Sequence, residues 1–60
     1  MTRTETVERL RDIQARARAI RDGVDNPTIE RAAQLIELNC HLARWDLGDV
    51  EALNPEAGSR

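Results

Sequence analysis

The sequence predicts an all-α protein, a helical hairpin that dimerises into a four-helix bundle. Apolar residues recur at spacings of three and four along two long segments, and no segment alternates apolar and polar residues as a strand would. A short turn-forming stretch at 23–26 separates the segments, and short connections join antiparallel helices. Chains of 60 residues are marginally stable alone. Because the single Cys40 excludes an internal disulfide, association is the expected source of further stability.

The first helix is predicted over residues 4–22. Thr2 and Glu5 have the spacing of a capping box, in which each side chain caps the other residue's backbone. Gly23 is expected to end the helix with a positive φ. One narrow apolar seam runs along the helix and is assigned to the core of the hairpin: Leu10, Ile13, Ala17 and Ile20.

The second helix is predicted over residues 27–47, capped by Asp25 or Asn26 and with Pro27 in its first turn. It carries two apolar stripes at 100° per residue. The first is assigned to the hairpin core: Ile29, Ala33, Ile36, Cys40 and Ala43. The second, with Asn39 at its margin, is assigned to a dimer or partner interface: Leu35, Leu38, Leu42 and Trp45. A polar strip is expected to face water: Glu30, Gln34, Glu37, His41 and Arg44.

The chain is predicted to form one domain over residues 1–60. Asp49 could cap a short helix over 49–53, and Asn54-Pro55 would end it. The tail over 54–60 has nothing to bury and is expected to be disordered.

No residue pattern predicts catalysis, a metal site or a cofactor. Cys40 and His41 are adjacent on a helix, so their side chains point about 100° apart. Neither a second histidine nor a suitably placed acid completes a catalytic set. We therefore expect a non-enzymatic protein.

The net charge of −2 is unevenly distributed. Residues 1–21 hold six arginines against three acids, whereas 22–60 hold three arginines against eight acids. Arg11, Arg18 and Arg21 form a basic flank that either contacts an anionic partner or is simply solvated. No aromatic residue accompanies them for base stacking, so an acidic protein is expected before nucleic acid.

Residues 19–32, AIRDGVDNPTIERA, resemble the helix-turn-helix signature of bacterial regulators. Ala19, Gly23, Val24 and Ile29 occupy the small, glycine, apolar and β-branched places of that pattern. The resemblance implies a DNA-binding transcriptional regulator whose recognition helix begins at 25–31. Arg18 and Asp22 stand where that pattern has apolar residues.

The length and layout also resemble the Rop-type plasmid copy-number regulators, which are helical-hairpin dimers. This resemblance implies architecture alone, because no RNA-contacting motif can be matched residue by residue.

The sequence thus predicts a small cytosolic protein that binds a second copy of itself and another macromolecule, with a protein as the first expectation. Its beginning does not resemble a signal sequence, and no apolar run approaches a membrane span. A DNA-binding regulator is the alternative, and a structural subunit of a larger assembly, such as a phage particle, is a further one.

Overall fold

The computed structural model describes residues 1–50 and confirms the all-α helical hairpin. Helix α1 (Arg3–Gly23) packs against helix α2 (Pro27–Asp46). The predicted tail over 54–60 and most of the predicted helix over 49–53 lie outside the described residues.

The beginning of α1 forms the predicted capping box. Thr2 Oγ1 accepts a hydrogen bond from the Glu5 backbone N–H at 3.1 Å, and Glu5 Oε1 accepts one from the Thr2 N–H at 3.1 Å. Two N–H groups that the helix itself leaves unsatisfied are thereby paired, which defines where α1 begins.

The turn between the helices contains only Val24, Asp25 and Asn26. The Val24 N–H donates to the Ile20 carbonyl at 2.9 Å and closes α1. Asn26, rather than Asp25, caps α2, since its Oδ1 accepts from the backbone N–H groups of Thr28 and Ile29 at 3.0 and 3.1 Å.

Gly23 does not adopt the predicted positive φ, because α1 continues through it and Val24 caps the helix. The left-handed glycine is instead Gly48, with φ 76°. Its N–H donates to the Trp45 carbonyl at 3.0 Å, and the Asp49 N–H donates to the Arg44 carbonyl at 2.8 Å. These two bonds form a complete Schellman motif at the end of α2.

The seam between the helices mixes apolar and polar side chains. Its buried members are Val7, Gln14, Ala17, Ala33, Glu37, Cys40 and His41. The expectation that Glu37 and His41 face water is wrong, because the polar strip of α2 turns toward α1. Burying a charged group requires polar partners, and α1 supplies them on its own facing side.

The assignment of the isoleucines to the hairpin core is also wrong. Ile13, Ile20, Ile29 and Ile36 are each between 44% and 50% exposed. Of the other residues assigned to that core, Ala17, Ala33 and Cys40 are buried, and Leu10 and Ala43 are half-buried. Packing along the polar strip of α2 rotates its large aliphatic residues out of the seam.

Candidate interaction surfaces

The middle of the seam is organised around the buried carboxylate of Glu37. Arg18 Nε donates to Glu37 Oε1 at 3.2 Å, and Arg21 Nη1 lies 2.8 Å from Oε2. The Arg21 contact is an ion pair without good hydrogen-bond geometry. Two cations from α1 therefore compensate one buried anion of α2, which joins the helices at this level.

The open end of the hairpin is organised around Asp49. Arg11 Nη2 lies 2.7 Å from Asp49 Oδ1, and Arg44 Nε lies 2.7 Å from Oδ2. The hydrogen bond from Arg44 makes the largest contribution to lowering the pKa of Asp49. The hydrogen bond and positive charge of Arg11 lower this pKa further, whereas desolvation raises it. The Schellman motif at Gly48 brings this carboxylate back to α1.

Two further bonds hold the helices in register. Arg44 Nη1 donates to Gln14 Oε1 at 2.7 Å, and Arg3 Nε donates to the Leu47 carbonyl at 2.8 Å. Sequence reasoning missed Gln14, Arg44 and Asp49 as seam residues. Gln14, Ala17 and Arg21 are three and four residues apart, so they lie on one side of α1. This spacing could have predicted a seam position for Gln14, but the prediction assumed that apolar residues fill the seam.

The basic flank predicted to contact an anionic partner is occupied within the chain. Arg11 pairs with Asp49, Arg18 with Glu37, and Arg21 with both Glu37 and Asp22. Each of these three arginines therefore has an acidic partner within the chain, and the pairs with Asp49 and Glu37 join the two helices.

The four exposed isoleucines lie on one side of the hairpin, which we call the isoleucine face. Ile13 and Ile36 each immediately precede a buried seam residue, Gln14 and Glu37, so each lies about 100° round its helix in the same rotational sense. Two antiparallel helices are related by a local twofold axis perpendicular to the plane that contains them. Side chains rotated from the seam by the same angle in the same sense therefore lie on the same side of that plane. Ile20 and Ile29, two turns away, extend the face along both helices.

A second apolar surface lies on the opposite side of α2, and we call it the leucine–tryptophan stripe: Leu35, Leu38, Leu42 and Trp45. Leu38 and Trp45 each immediately follow a seam residue. Their side chains are therefore rotated about 100° from the seam, in the sense opposite to the isoleucines. Leu35, Leu38 and Trp45 are 40–47% exposed, Leu42 is half-buried, and Asn39 is exposed.

Cys40 and His41 are both buried in the seam. Burial raises the pKa of the Cys40 thiol, although the positive charge of Arg44 opposes the shift. Across residues 1–50, no group of three or more potential ligands is placed to hold a metal ion.

Residues 19–32 fold as the end of α1, the turn and the start of α2. A helix-turn-helix crosses its helices at about 90–120°, which confines their contacts to the region of the turn. Here contacts extend from Arg21 and Glu37 near the turn to Arg3 and Leu47 at the far end. The two helices therefore lie alongside each other, and this geometry lends no support to a recognition helix.

Within the described part of the chain, neither helix is long and apolar enough to cross a membrane. No protein-family model matches the chain, and no match was found among curated proteins or solved structures. The geometry of the two apolar surfaces is accordingly what bears on function.

Proposed function

We propose that this chain is a small non-enzymatic interaction protein that works as a homodimeric four-helix bundle and binds another protein. The isoleucine face carries the proposal. Its four large aliphatic side chains are each nearly half exposed on one side of a small hairpin. Contiguous apolar surface of this kind is characteristic of an interaction site.

A second copy is the occupant that best matches the isoleucine face. The face spans both helices, so the same face of a second hairpin is wide enough to cover it. Stacking two such faces forms a four-helix bundle with an isologous interface. Dimerisation also supplies the apolar burial that a chain of 60 residues lacks on its own.

The leucine–tryptophan stripe is the surface we assign to the partner protein. It lies on the other side of α2, so it stays exposed when the isoleucine face is covered. Its members follow one another at three, four and three residues, the spacing with which one helix packs along another. Tryptophan is enriched among residues that dominate binding energy, and Trp45 is the only aromatic residue of the chain.

Sedimentation equilibrium of three proteins tests the dimer. The wild type should be dimeric at micromolar concentration, with a melting temperature that rises with concentration because folding and association are coupled. Ile36→Glu should be monomeric, since it buries an unpaired charge, whereas the matched variant Leu38→Glu should remain dimeric. A monomeric wild type with concentration-independent melting would refute the proposal. Dissociation by Leu38→Glu alone would move the dimer interface to the stripe.

Affinity capture from the source cell tests the partner surface. The wild type and Leu38→Glu, both dimeric, should differ by loss of a specific protein from the variant. If the wild type and the variant capture the same proteins, the leucine–tryptophan stripe is not the partner surface, and the proposed dimer is unaffected.

A further inference from the structure

We infer that the second copy packs with its α2 against α1 of the first, rather than α1 against α1. This inference rests on the proposed dimer and specifies its topology. Two symmetric arrangements bring the isoleucine faces together with all neighbouring helices antiparallel. A twofold axis parallel to the helices puts α1 on α2 of the other copy. A twofold axis across the helices puts α1 on α1 and α2 on α2.

The outer edges of the isoleucine face differ between the two helices. On α1 the edge carries Arg9 and Arg16, each four residues before an isoleucine. On α2 the residue four before Ile36 is Ala32, and the residue three after it is Asn39. The edge on α1 therefore carries long side chains, of which Arg16 is paired with Asp12 at 2.9 Å, and the edge on α2 carries short neutral ones at 32 and 39. All these edge residues are exposed in the hairpin.

Both charge and size favour the α1-on-α2 arrangement. Packing α1 on α1 would bring the two arginine-bearing edges together; Asp12 offsets the charge of Arg16 within each copy, but no acid of α2 would then lie beside Arg9. It would also set two edges of small residues against each other and leave α2 poorly packed. Packing α1 on α2 lays the arginine stems over small neighbours, an arrangement that suits amphipathic side chains.

The acidic end of α2 supplies a specific partner for Arg9. Within the hairpin, Arg3 donates to the Leu47 carbonyl and Arg44 donates to Gln14. Counted residue for residue along antiparallel helices, the first bond puts Arg9 level with residue 41 and the second with residue 49, so the midpoint is about residue 45. A twofold axis parallel to the helices preserves this level, so Arg9 of one copy lies near Asp46 of the other, one heptad beyond Asn39 on the same side of α2.

Cross-linking with a short bis-maleimide distinguishes the two arrangements. In a Cys40→Ser background, the pair Arg9→Cys with Asp46→Cys should yield covalent dimers, whereas Arg16→Cys alone should not. Positions 9 and 46 lie on opposite outer edges of one hairpin, so a link between them must join two copies. Position 16 lies between Ile13 and Ile20, so a twofold axis across the helices would place it against its own copy. Covalent dimers from Arg16→Cys alone would overturn the inference and leave the dimer intact. A monomeric wild-type protein would instead refute the proposed function itself.

Charge reversal gives an independent test without cysteines. Arg9→Glu should raise the dimer dissociation constant about three- to tenfold at low salt, since two symmetric pairs are lost, and Asp46→Arg in addition should restore it. Glu8→Arg, on the opposite side of α1, is the matched control and should change it less than twofold. The difference should shrink at high salt. Failure of Asp46→Arg to restore binding would contradict the pairing.

Discussion

Arg18 places its Nε 3.2 Å from Oε1 of Glu37, so a carboxylate from the polar strip of α2 is buried against a cation from α1. The pair shows which side of each helix forms the seam. Once Glu37 and Gln14 occupy the seam, the isoleucine that precedes each of them must lie outside. The exposed isoleucine face is thus a direct consequence of the polar contact between the helices.

Reversing the charge of Glu37 should destabilise the hairpin strongly. Glu37→Lys would put a third cation beside Arg18 and Arg21 at a position that is 6% exposed. Breaking a buried pair costs about 3–5 kcal/mol, and we expect about 2–3 kcal/mol because the side chain of Arg18 is 57% exposed and solvent screens it. Urea unfolding measures the change. The control, exposed Glu30→Lys, should change stability by less than about 0.5 kcal/mol; equal effects would place Glu37 outside the seam.

The two described helix-end glycines should respond to alanine in opposite directions. Gly48→Ala forces a Cβ into a left-handed conformation at φ 76° and should cost about 1–2 kcal/mol. Gly23 is helical with nothing within 4 Å of an added Cβ, so Gly23→Ala should stabilise by about 0.5–1 kcal/mol. Thermal melts of the two variants measure this difference. Stabilisation by Gly48→Ala would argue against the Schellman motif.

Acid should weaken the link between Asp49 and the arginines at the open end. The pKa of Asp49 is lowered in the folded protein, so this group contributes stability that is present above its unfolded pKa of about 3.9 and is lost as pH falls through the folded value. Stability should therefore decline more steeply below about pH 4 in the wild type than in Asp49→Asn. Parallel pH profiles from urea unfolding would contradict this role for the carboxylate.

Cys40 should react slowly with thiol reagents in the native protein. The side chain is buried and its pKa is raised by that burial, and the thiolate is the reactive species. The rate with an aromatic disulfide reagent at pH 8 should be at least about tenfold lower than in urea. Ile36→Glu, expected to be monomeric, should react faster than the dimeric Leu38→Glu, because a hairpin without its partner opens more often. Rapid native labelling would show that the seam opens readily.

The amino-acid sequence by itself determined the local structure of this protein. The capping box of Thr2 and Glu5 and the proline at Pro27 depend on contacts within four residues of the chain. Their spacing placed the beginning of α2 and, to within one residue, that of α1, while the choice between Asp25 and Asn26 as the cap stayed open. The 3–4 periodicity likewise predicted two helices, since helical rotation depends only on position along the chain. The short connection between them predicted the hairpin.

Only the tertiary structure decided which side of α2 meets α1. On α2, either the apolar side or the polar strip can form the contact with α1, and the choice depends on whether α1 can satisfy buried polar groups. Arg18, Arg21 and Gln14 do so from 16 to 30 residues away, a distance that local patterns do not span. Pairing of these charges offsets the desolvation cost of burying the polar seam. The large aliphatic side chains are left on the surface, where association can bury them.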